Sequence, residues 1–172
     1  MSDVRQVLED WHGQEIGFVR FELPDMHGIS RSKTIPIAHA LDYAERGLNM
    51  YGGASVLDTR SDVVPGTLYH EERGYGDQLL FPDPDSAAVI PWADRTARLI
   101  CDVHNLDHTA FEGCPRTRLK LVLEQFVSLG YKILVAPEIE FSMAIATNAA
   151  GPKVNETLDQ VCGKLVHLYA TT

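Results

Sequence analysis

The sequence is short of cysteine, of basic charge and of long apolar runs, and each shortage excludes a class of protein. Its three cysteines, Cys101, Cys114 and Cys162, are odd in number and widely spaced, which argues against a disulfide framework and fits a reducing compartment. Fifteen lysines and arginines are scattered among 24 acidic residues, for a net charge of -9, which argues against a nucleic-acid partner. No apolar run approaches the roughly 20 residues of a membrane span, and residues 1–5 lead into no signal-peptide segment. We therefore expect a cytoplasmic protein that binds neither nucleic acid nor membrane.

The length and the apolar content limit what can fold. With 172 residues, of which 45% are hydrophobic, the chain can form one ordinary domain, or one complete small domain and part of a second. The sequence contains no internal repeat and no low-complexity tract. We therefore expect a globular chain with a core of its own.

Local patterns in the first hundred residues predict alternating helices and strands. Apolar spacing and turn signals predict helices over 3–11 and 38–46, and strands over 16–23, 30–37, 78–81, 87–90 and 96–104. The turn residues 24–28 join the first two strands as a hairpin. Residues 58–78 are rich in Gly, Asp, Arg and Tyr and show little periodicity, so they are predicted to form a long surface loop. The fold class that follows is α+β, a sheet crossed by a helix.

A polar stretch over 105–113 marks the predicted domain boundary, because it separates a strand from a helix. We expect a first domain over 1–106 and the beginning of a second domain over 107–172. In the second domain, a helix over 116–129 presents one apolar face, formed by Leu119, Val122, Leu123 and Phe126. A strand over 132–143 follows. A last amphipathic helix, capped by Asn155, is predicted from the spacing of Val154, Leu158, Val161, Leu165 and Leu168.

The segment 136–141 carries two carboxylates in an otherwise apolar strand. Alternate residues of an extended backbone share a face, so Glu138 and Glu140 project side by side while Ile139 and Phe141 point into a core. Two such carboxylates can bind a hard divalent cation, because Mg²⁺ takes oxygen ligands and commonly only one or two of them from protein. The spacing alone favours a plainer alternative, in which both carboxylates lie on the solvated face of a strand.

His104 and His108 form a second cluster of potential metal ligands, with Cys101, Asp102, Asp107 and Cys114 nearby in sequence. The spacing of these residues fits no standard zinc pattern. His104 ends a predicted strand, whereas His108 lies in a loop. We interpret the set as an incidental surface cluster.

Several short motifs occur in a fixed order along the chain. They are Asp25-Met26-His27-Gly28-Ile29-Ser30-Arg31-Ser32-Lys33, Leu80-Phe81-Pro82-Asp83-Pro84-Asp85-Ser86, Val89-Ile90-Pro91-Trp92, Cys114-Pro115-Arg116-Thr117-Arg118-Leu119-Lys120 and Glu138-Ile139-Glu140. This series resembles the glutamine synthetase family, including its relatives that make γ-glutamyl amides of other amines, over roughly residues 15 to 143. The resemblance implies a β-grasp domain at the start, followed by the first helix and strand of a catalytic domain.

The resemblance also gives Glu138 and Glu140 a role. In the family, a Glu-x-Glu pair on the first strand of the catalytic domain ligates divalent metals, Mg²⁺ or Mn²⁺, that bridge ATP and glutamate. ATP phosphorylates the γ-carboxylate of glutamate, and ammonia or an organic amine then displaces phosphate. The resemblance implies a homo-oligomer with active sites between subunits. Because the family's remaining catalytic residues come later in its sequences, we expect this chain to hold no catalytic residue and to be inactive alone.

One loop departs from the family pattern. Where glutamine synthetases commonly carry Asp-Gly-Ser-Ser, with an aspartate that helps to bind ammonium, this sequence has Gly52-Gly53-Ala54-Ser55, and Gly52 takes the place of the aspartate. The loop of Gly52, Gly53 and Ser55 is therefore a candidate amine site that lacks an anion and leaves space for a bulkier amine. A tight turn that needs both glycines explains the same residues equally well.

Two functions of different classes remain open at this point. The first is a portion of an ATP-dependent glutamate–amine ligase. The second is a non-catalytic β-grasp module with an interaction or structural role, in which Glu138 and Glu140 are remnants of a glutamine synthetase ancestor. Arg31 and Lys33, in the first hairpin, are interpreted as solvated or subunit-facing rather than catalytic.

Overall fold

The computed structural model describes residues 3–139, together with the backbone of 144–145, 153–154 and 168–169. Its helices are α1 (Val4–Gly13), α2 (Ile37–Arg46) and α3 (Pro115–Ser128). Its strands are β1 (Phe18–Pro24), β2 (Ser30–Pro36), β3 (Leu48–Tyr51), β4 (Asp77–Pro82), β5 (Ala88–Val89), β6 (Thr96–His104), β7 (Glu138–Ile139), β8 (Ala144–Ile145), β9 (Lys153–Val154) and β10 (Leu168–Tyr169). The chain divides into two compact units, Met1–Gln125 and Phe126–Thr172.

One mixed sheet forms the frame of the first unit. Its strand order is β2-β1-β6-β4-β3, and β5 also pairs with β6. The central pair, β1 and β6, runs parallel, whereas the other pairings of this sheet are antiparallel. The long strand β6 pairs with β4 near its end and with β5 near its start. With α2 connecting β2 to β3, this architecture confirms the predicted α+β class.

The core of the first unit lies between the sheet and the two N-terminal helices. Alternate residues of the central strands are buried, as a sheet with one covered face requires: Val19, Phe21 and Leu23 of β1, and Ala97, Leu99, Cys101 and Val103 of β6. Helix α1 contributes Leu8 and Trp11, and α2 contributes Ala40 and Ala44. The small side chains of α2 let its backbone approach the strands closely.

The ends of the two helices follow from capping chemistry. Asp3 begins α1, because its side chain accepts a hydrogen bond from the backbone N–H of Arg5 at 3.0 Å. Gly47 ends α2 with a φ of 85°, in the region that favours glycine. A Cβ at Gly47 would also lie 3.0 Å from the Cβ of Leu79, so the position needs glycine for space as well.

The predicted elements of the first hundred residues are confirmed to within two residues at each end, with one omission. Strand β3 was not expected, because it has only four residues and follows directly after the glycine that ends α2. Its alternation, with Leu48 and Met50 buried, is too short to distinguish from a loop by periodicity. This strand is important for the site, since it leads directly into the loop at Gly52.

The turn between β1 and β2 is organised by Asp25, whose side chain is fully buried. One carboxylate oxygen accepts hydrogen bonds from the backbone N–H groups of His27, at 2.9 Å, and Ile29, at 2.8 Å. The other oxygen accepts from Arg31 Nε at 2.9 Å, and Arg31 also donates to the carbonyl of Asp58 at 3.1 Å. The interpretation of Arg31 as solvated is therefore wrong: it ties the turn to the long loop, and its side chain is only 13% exposed.

The polar stretch over 105–113 contributes to the core of the first unit. Phe111 is fully buried and packs edge-on against Tyr69, with ring centroids 5.3 Å apart, and Cys114 is buried too. The polar composition of this segment predicts a linker, but the single aromatic side chain of Phe111 packs it into the first unit. The predicted division into domains 1–106 and 107–172 stays a prediction.

Helix α3 is attached to the sheet at its first turn by ion pairs. Arg116 Nε donates to Asp102 at 2.9 Å, and another guanidinium nitrogen donates to Asp83. Lys120 also donates to Asp102, at 2.5 Å. The predicted apolar face of this helix is exposed, since Leu119, Val122, Leu123 and Phe126 all retain large accessible surfaces.

In the second unit, two sequence predictions are wrong in part. Residues 131–137 have no regular secondary structure, so the strand expected from 132 begins only at Glu138. The reason is pairing: β7 pairs with β10 from Glu138 onward, and Pro137, just before it, lacks the N–H that a ladder requires. The predicted last helix is wrong at both described ends, because Val154 lies in β9 and Leu168 in β10. The residues between these strands lie outside the described residues.

Candidate functional site

One of the two predicted metal ligands lies in the first strand of the second unit. Glu138 belongs to β7, where it is the register partner of Tyr169, and its side chain is exposed. Glu140 lies outside the described residues. The pairing of the two carboxylates on one face therefore stays a prediction.

The histidine pair of the sequence is part of a structured turn. His104 Nδ1 donates to the carbonyl of His108 at 2.9 Å, and both rings contact the ring of Phe81. Within residues 3–139 no three His, Cys, Asp or Glu side chains converge into a metal-binding group.

The predicted amine-site loop is a buried 3₁₀ turn, Gly52–Val56, that continues β3. The backbone N–H of Gly52 donates to the carbonyl of Gly76 at 3.0 Å, which holds the turn against the start of β4. A Cβ at Gly52 would lie 2.9 Å from that carbonyl oxygen and 3.1 Å from the side chain of Gln78. Glycine is therefore required here by close packing, and the missing side chain leaves no open space at this position.

Gly53 is enclosed by an aromatic pair. Tyr51 Oη and His70 Nδ1 share a hydrogen bond of 2.5 Å, and a Cβ at Gly53 would collide with His70 Nδ1 and lie 2.6 Å from Tyr51 Oη. The Tyr51 ring also stacks on Tyr75, with centroids 6.3 Å apart. Burial raises the pKa of the Tyr51 hydroxyl, and the neighbouring Tyr75 adds to that rise.

Three buried polar side-chain atoms have no hydrogen-bond partner among the described residues: Ser55 Oγ in this turn, His70 Nε2 beside it, and Thr67 Oγ1. The backbone of Ser55 is bound, since its carbonyl accepts from the N–H of Met26 at 3.1 Å. Leaving a buried hydroxyl or imidazole nitrogen without a partner costs roughly 1–3 kcal/mol, so such atoms mark positions where a water or a ligand group gains a hydrogen bond.

A cleft of about 200 Å³ opens beside the turn. Its lining consists of Gly52, of residues 76–78 at the start of β4, and of Tyr69, Arg73, Asn105 and Leu106. Gln78 is almost fully buried, and its side chain donates to Asn105 at 3.4 Å. The cleft thus combines amide groups with an aromatic and an aliphatic wall, which suits a small molecule with both a polar and an apolar part.

The two charged residues of the cleft differ in how well they are paired. Arg73 donates to Glu112 at 2.7 Å, and its guanidinium lies 5.0 Å from the centroid of the Tyr69 ring. A hydrogen bond from the Glu112 backbone N–H, and then the Arg73 guanidinium, lower the pKa of the Glu112 carboxyl. Among the described residues, the Asp77 carboxylate accepts one side-chain hydrogen bond, from Asn49 at a long 3.4 Å. Asp77 is thus the more weakly paired of the two charged residues.

The sequence did not indicate this cleft. Residues 69 to 76 belong to the stretch predicted as a surface loop, and Asp77 stands one residue before the predicted start of its strand. Asp77 is the register partner of Tyr51, so this side of the cleft depends on the pairing of β3 with β4. The cleft was therefore missed because the short strand β3 was not predicted.

The sequence is similar to proteins of one family. It is 36% identical over 141 residues to a glutamine synthetase of Halobacterium salinarum, a match that covers 80% of this chain and 28% of that protein. It is 32% identical over 162 residues to a glutamine synthetase of Thermotoga maritima, covering 92% of this chain and 33% of that protein. It is also 32% identical over 141 residues to human lengsin, covering 79% of this chain and 26% of that protein. The chain is a relative of the glutamine synthetases.

The fold agrees with the sequence. This glutamine synthetase relative superposes on a crystal structure of a glutamine synthase homologue with a TM-score of 0.65 and 26% identity, over 74% of this chain and 30% of that one. It superposes on a complex of GmaS with ADP with a TM-score of 0.57 and 27% identity, over 75% of this chain and 26% of that one. These matches confirm the α+β fold with a β-grasp-like first domain. A search against protein-family profiles finds no match.

The matched region is a limited part of those relatives. The chain spans about a quarter to a third of the length of the curated glutamine synthetases and of lengsin. No helix among the described residues of this glutamine synthetase relative is both long and apolar enough to cross a membrane.

Proposed function

We propose that this chain contributes the first domain of an ATP-dependent ligase that joins glutamate to an amine. The observation that supports the proposal best is the combined match in sequence and fold, with 36% identity over 141 residues to a glutamine synthetase and a TM-score of 0.65 to a glutamine synthase homologue. Since the chain spans a third or less of such proteins, the activity is proposed for the protein as a whole, and we expect residues 1–172 alone to be inactive.

The proposed reaction has two steps. An oxygen of the glutamate γ-carboxylate attacks the γ-phosphorus of ATP, the bond to ADP breaks, and a γ-glutamyl phosphate forms. The amine nitrogen then attacks the γ-carbonyl carbon, the carbon–oxygen bond to phosphate breaks, and the nitrogen loses a proton. The products are a γ-glutamyl amide, ADP and a phosphate that carries one oxygen from glutamate. Such phosphoryl transfer depends mainly on positioning and on charge stabilisation.

Glu138 and Glu140 are the residues that we assign to Mg²⁺ or Mn²⁺. Carboxylate oxygens are the donors that these ions prefer, and the exposed side chain of Glu138 is accessible to a cation. A cation held there would supply positive charge to the phosphates of ATP. Because two carboxylates leave most of the coordination shell to water, we expect the 172-residue chain alone to bind Mn²⁺ only weakly.

An organic amine is the proposed nitrogen donor, in preference to ammonia. Gly52 carries no charge at the position where the family resemblance implies an ammonium-binding aspartate. The packing around Gly52 corrects one part of the sequence interpretation, since the carbonyl of Gly76 and the side chain of Gln78 already occupy the space of a side chain there. Room for a larger amine is available in the adjacent cleft of about 200 Å³.

We also propose that the whole protein forms a homo-oligomer with active sites between subunits, as the family resemblance implies. The exposed apolar residues of α3, among them Leu119, Val122 and Leu123, support association, since contiguous exposed apolar surface favours burial against other protein.

The test is a ligation assay on the gene product, expressed with any coding sequence that continues in frame beyond Thr172. We expect phosphate release from ATP that requires both glutamate and an amine, with an organic amine preferred to ammonia. Glu138→Gln and Glu140→Gln should each lower the rate by about tenfold to a hundredfold, the usual effect of disturbing a metal site, while Glu9→Gln on α1 should leave it unchanged. If phosphate release does not depend on glutamate, the ligase proposal is wrong and the alternative, a non-catalytic β-grasp module, is favoured.

A further inference from the structure

We propose that the hairpin of β1 and β2 positions the turn Gly52–Val56, with Arg31 and Lys33 as the positioning residues. The two side chains bind the backbone on either side of the turn and thereby set the affinity of the whole protein for its amine. The inference rests on the proposed function, since the amine is the substrate that reports the position of the turn. Neither side chain is assigned a contact with substrate.

The orientation of the two side chains follows from the strand register. Arg31 is the partner of Leu23 in the β1–β2 pair, and Lys33 is the partner of Phe21. Cross-strand partners share a face of the sheet, and Leu23 and Phe21 are both buried in the core. Arg31 and Lys33 therefore extend over the covered face, and the rest of the first unit supplies their acceptors.

Lys33 binds the chain before the turn. Its Nζ donates to the backbone carbonyl of Asn49 at 2.6 Å. Asn49 belongs to β3, which leads directly into Gly52. Because β2 and β3 are the two end strands of the sheet, this hydrogen bond joins its opposite edges.

Arg31 binds the chain after the turn. Its guanidinium donates to the backbone carbonyl of Asp58 at 3.1 Å and to the hydroxyl of Ser61. Arg31 Nε is bound at 2.9 Å by Asp25, whose buried carboxylate also accepts two backbone N–H groups of the hairpin turn. A planar guanidinium can donate in several directions at once, so Arg31 joins the hairpin turn to the segment that leaves Val56.

The hairpin also binds the turn itself. The backbone N–H of Met26, next to Asp25, donates to the carbonyl of Ser55 at 3.1 Å. The hairpin thus holds the chain before, within and after the turn, at the carbonyls of Asn49, Ser55 and Asp58. On the side of β4, the N–H of Gly52 is held separately by the carbonyl of Gly76. Loss of Arg31 should therefore release the end of the turn and leave its beginning in place.

This arrangement separates the amine from ATP. Ser55, whose buried Oγ is without a partner among the described residues, is held by the hairpin through its carbonyl. Small displacements of positioning groups lower the affinity or the rate for a ligand that depends on them. Glu138, which we assign to the metal, lies in the other compact unit of the chain. A defect in the hairpin is therefore expected to change the KM for the amine and to leave the KM for ATP unchanged.

The first measurement is amide hydrogen exchange by NMR on the 172-residue chain. Arg31→Met should speed exchange at Met26, which donates to Ser55, and at Asp62, which donates to the Asp58 carboxylate, by about three- to tenfold. Gly52 is the internal control and should keep its rate. Arg31→Lys retains a cation beside Asp25 but offers a single nitrogen, so it should show the same pattern with a smaller loss of stability.

The second measurement is steady-state kinetics of the gene product. Arg31→Met should raise the KM for the amine about three- to tenfold without changing the KM for ATP, and Lys33→Met should have a smaller effect in the same direction because Lys33 is exposed. Arg98→Met is the matched control, since Arg98 also pairs with a buried carboxylate, that of Glu22, at 3.3 Å. It should lower stability and leave the KM for the amine unchanged.

The outcomes separate this inference from the proposed function. If ligation occurs but Arg31→Met leaves the KM for the amine unchanged, or Arg98→Met raises it equally, the inference is overturned and the ligase stands. If the wild type does not ligate, the ligase is wrong and exchange decides the positioning role. Faster exchange at Met26 and Asp62 then supports that role, and unchanged exchange overturns it.

Discussion

At the scale of single residues, two adjacent glycines determine the shape of the candidate amine site. Gly52 and Gly53 have ordinary negative backbone dihedrals, so neither is required by a left-handed conformation. Both are required by close approach, to the Gly76 carbonyl in one case and to the Tyr51–His70 pair in the other. The sequence left two explanations for these glycines: a tight turn that needs them, or space left for a bulkier amine. The close packing around both positions favours the tight turn.

This packing predicts that Gly53→Ala destabilises the first unit. The added Cβ would collide with His70 Nδ1 and force the Tyr51–His70 hydrogen bond apart, which should lower the free energy of unfolding by about 1–3 kcal/mol. Gly13→Ala is the control, because no atom lies within 4 Å of its added Cβ. Urea unfolding followed by circular dichroism measures both variants. Equal stability of the two would show that the pair around Gly53 moves freely.

At the scale of elements, the sequence predicted well where a periodic pattern coincides with a capping or turn signal. Helix α1 has both an apolar stripe and the Asp3 cap, and β6 has a long alternation, and both were predicted closely. The sequence does not predict strand β3, and it wrongly predicts a strand over most of 131–137, for opposite reasons. The first is a strand because β4 pairs with it despite its shortness, whereas the second has strand-forming residues but pairs with no strand among the described residues.

The attachment of α3 to the sheet gives an element-scale prediction. Arg116→Leu removes the guanidinium that binds Asp83 and Asp102 and leaves two partly buried carboxylates with fewer donors. We expect a loss of about 1–3 kcal/mol in the free energy of unfolding and faster amide hydrogen exchange over the first turns of α3. Arg46→Leu breaks an exposed i,i+4 pair on α2 and the contact of Arg46 with the Tyr43 ring, and it should cost at most about 1 kcal/mol without changing exchange in α3. Unchanged exchange in α3 would mean that apolar packing alone holds the helix.

At the scale of the whole molecule, the dependence of stability on pH should be set by carboxylates in loops. Hydrogen bonds from backbone N–H groups, that of Asp62 above all, lower the pKa of Asp58, and the Thr109 hydroxyl lowers that of Asp107. The pKa of Glu112 is lowered as well. A folded pKa below the unfolded value means that the unfolded chain takes up more protons in acid. Stability gained from these groups is therefore present above their unfolded values and is lost as the pH falls through their folded pKa values.

We accordingly expect the free energy of unfolding to decrease as the pH is lowered below about 4.5, the ordinary pKa of a glutamate. The double variant Asp58→Asn and Asp107→Asn keeps hydrogen-bond acceptors at both sites but removes their titration. Its stability should fall less steeply with acid than that of the wild type, as measured by thermal unfolding between neutral and acid pH. Parallel curves for the two proteins would show that these carboxylates do not govern acid unfolding.

Ordered motifs along the whole chain carry the signal for the family. They predict a glutamine synthetase relative, and the matches to glutamine synthetases confirm that prediction. The cleft beside Gly52 was not predicted in the same way, since it depends on a pairing between β3 and β4 that no local pattern encodes. Motifs thus predicted the family, whereas the cleft depends on tertiary structure.

Isotope transfer tests whether the proposed ligase activates glutamate through an acyl phosphate. The gene product is supplied with ATP, an organic amine and glutamate whose γ-carboxylate is labelled with ¹⁸O, and the released phosphate and the amide are analysed by mass spectrometry. We expect one ¹⁸O atom in each phosphate released and an equal amount of γ-glutamyl amide. Phosphate without ¹⁸O, or phosphate release with no amide formed, would contradict the proposed reaction.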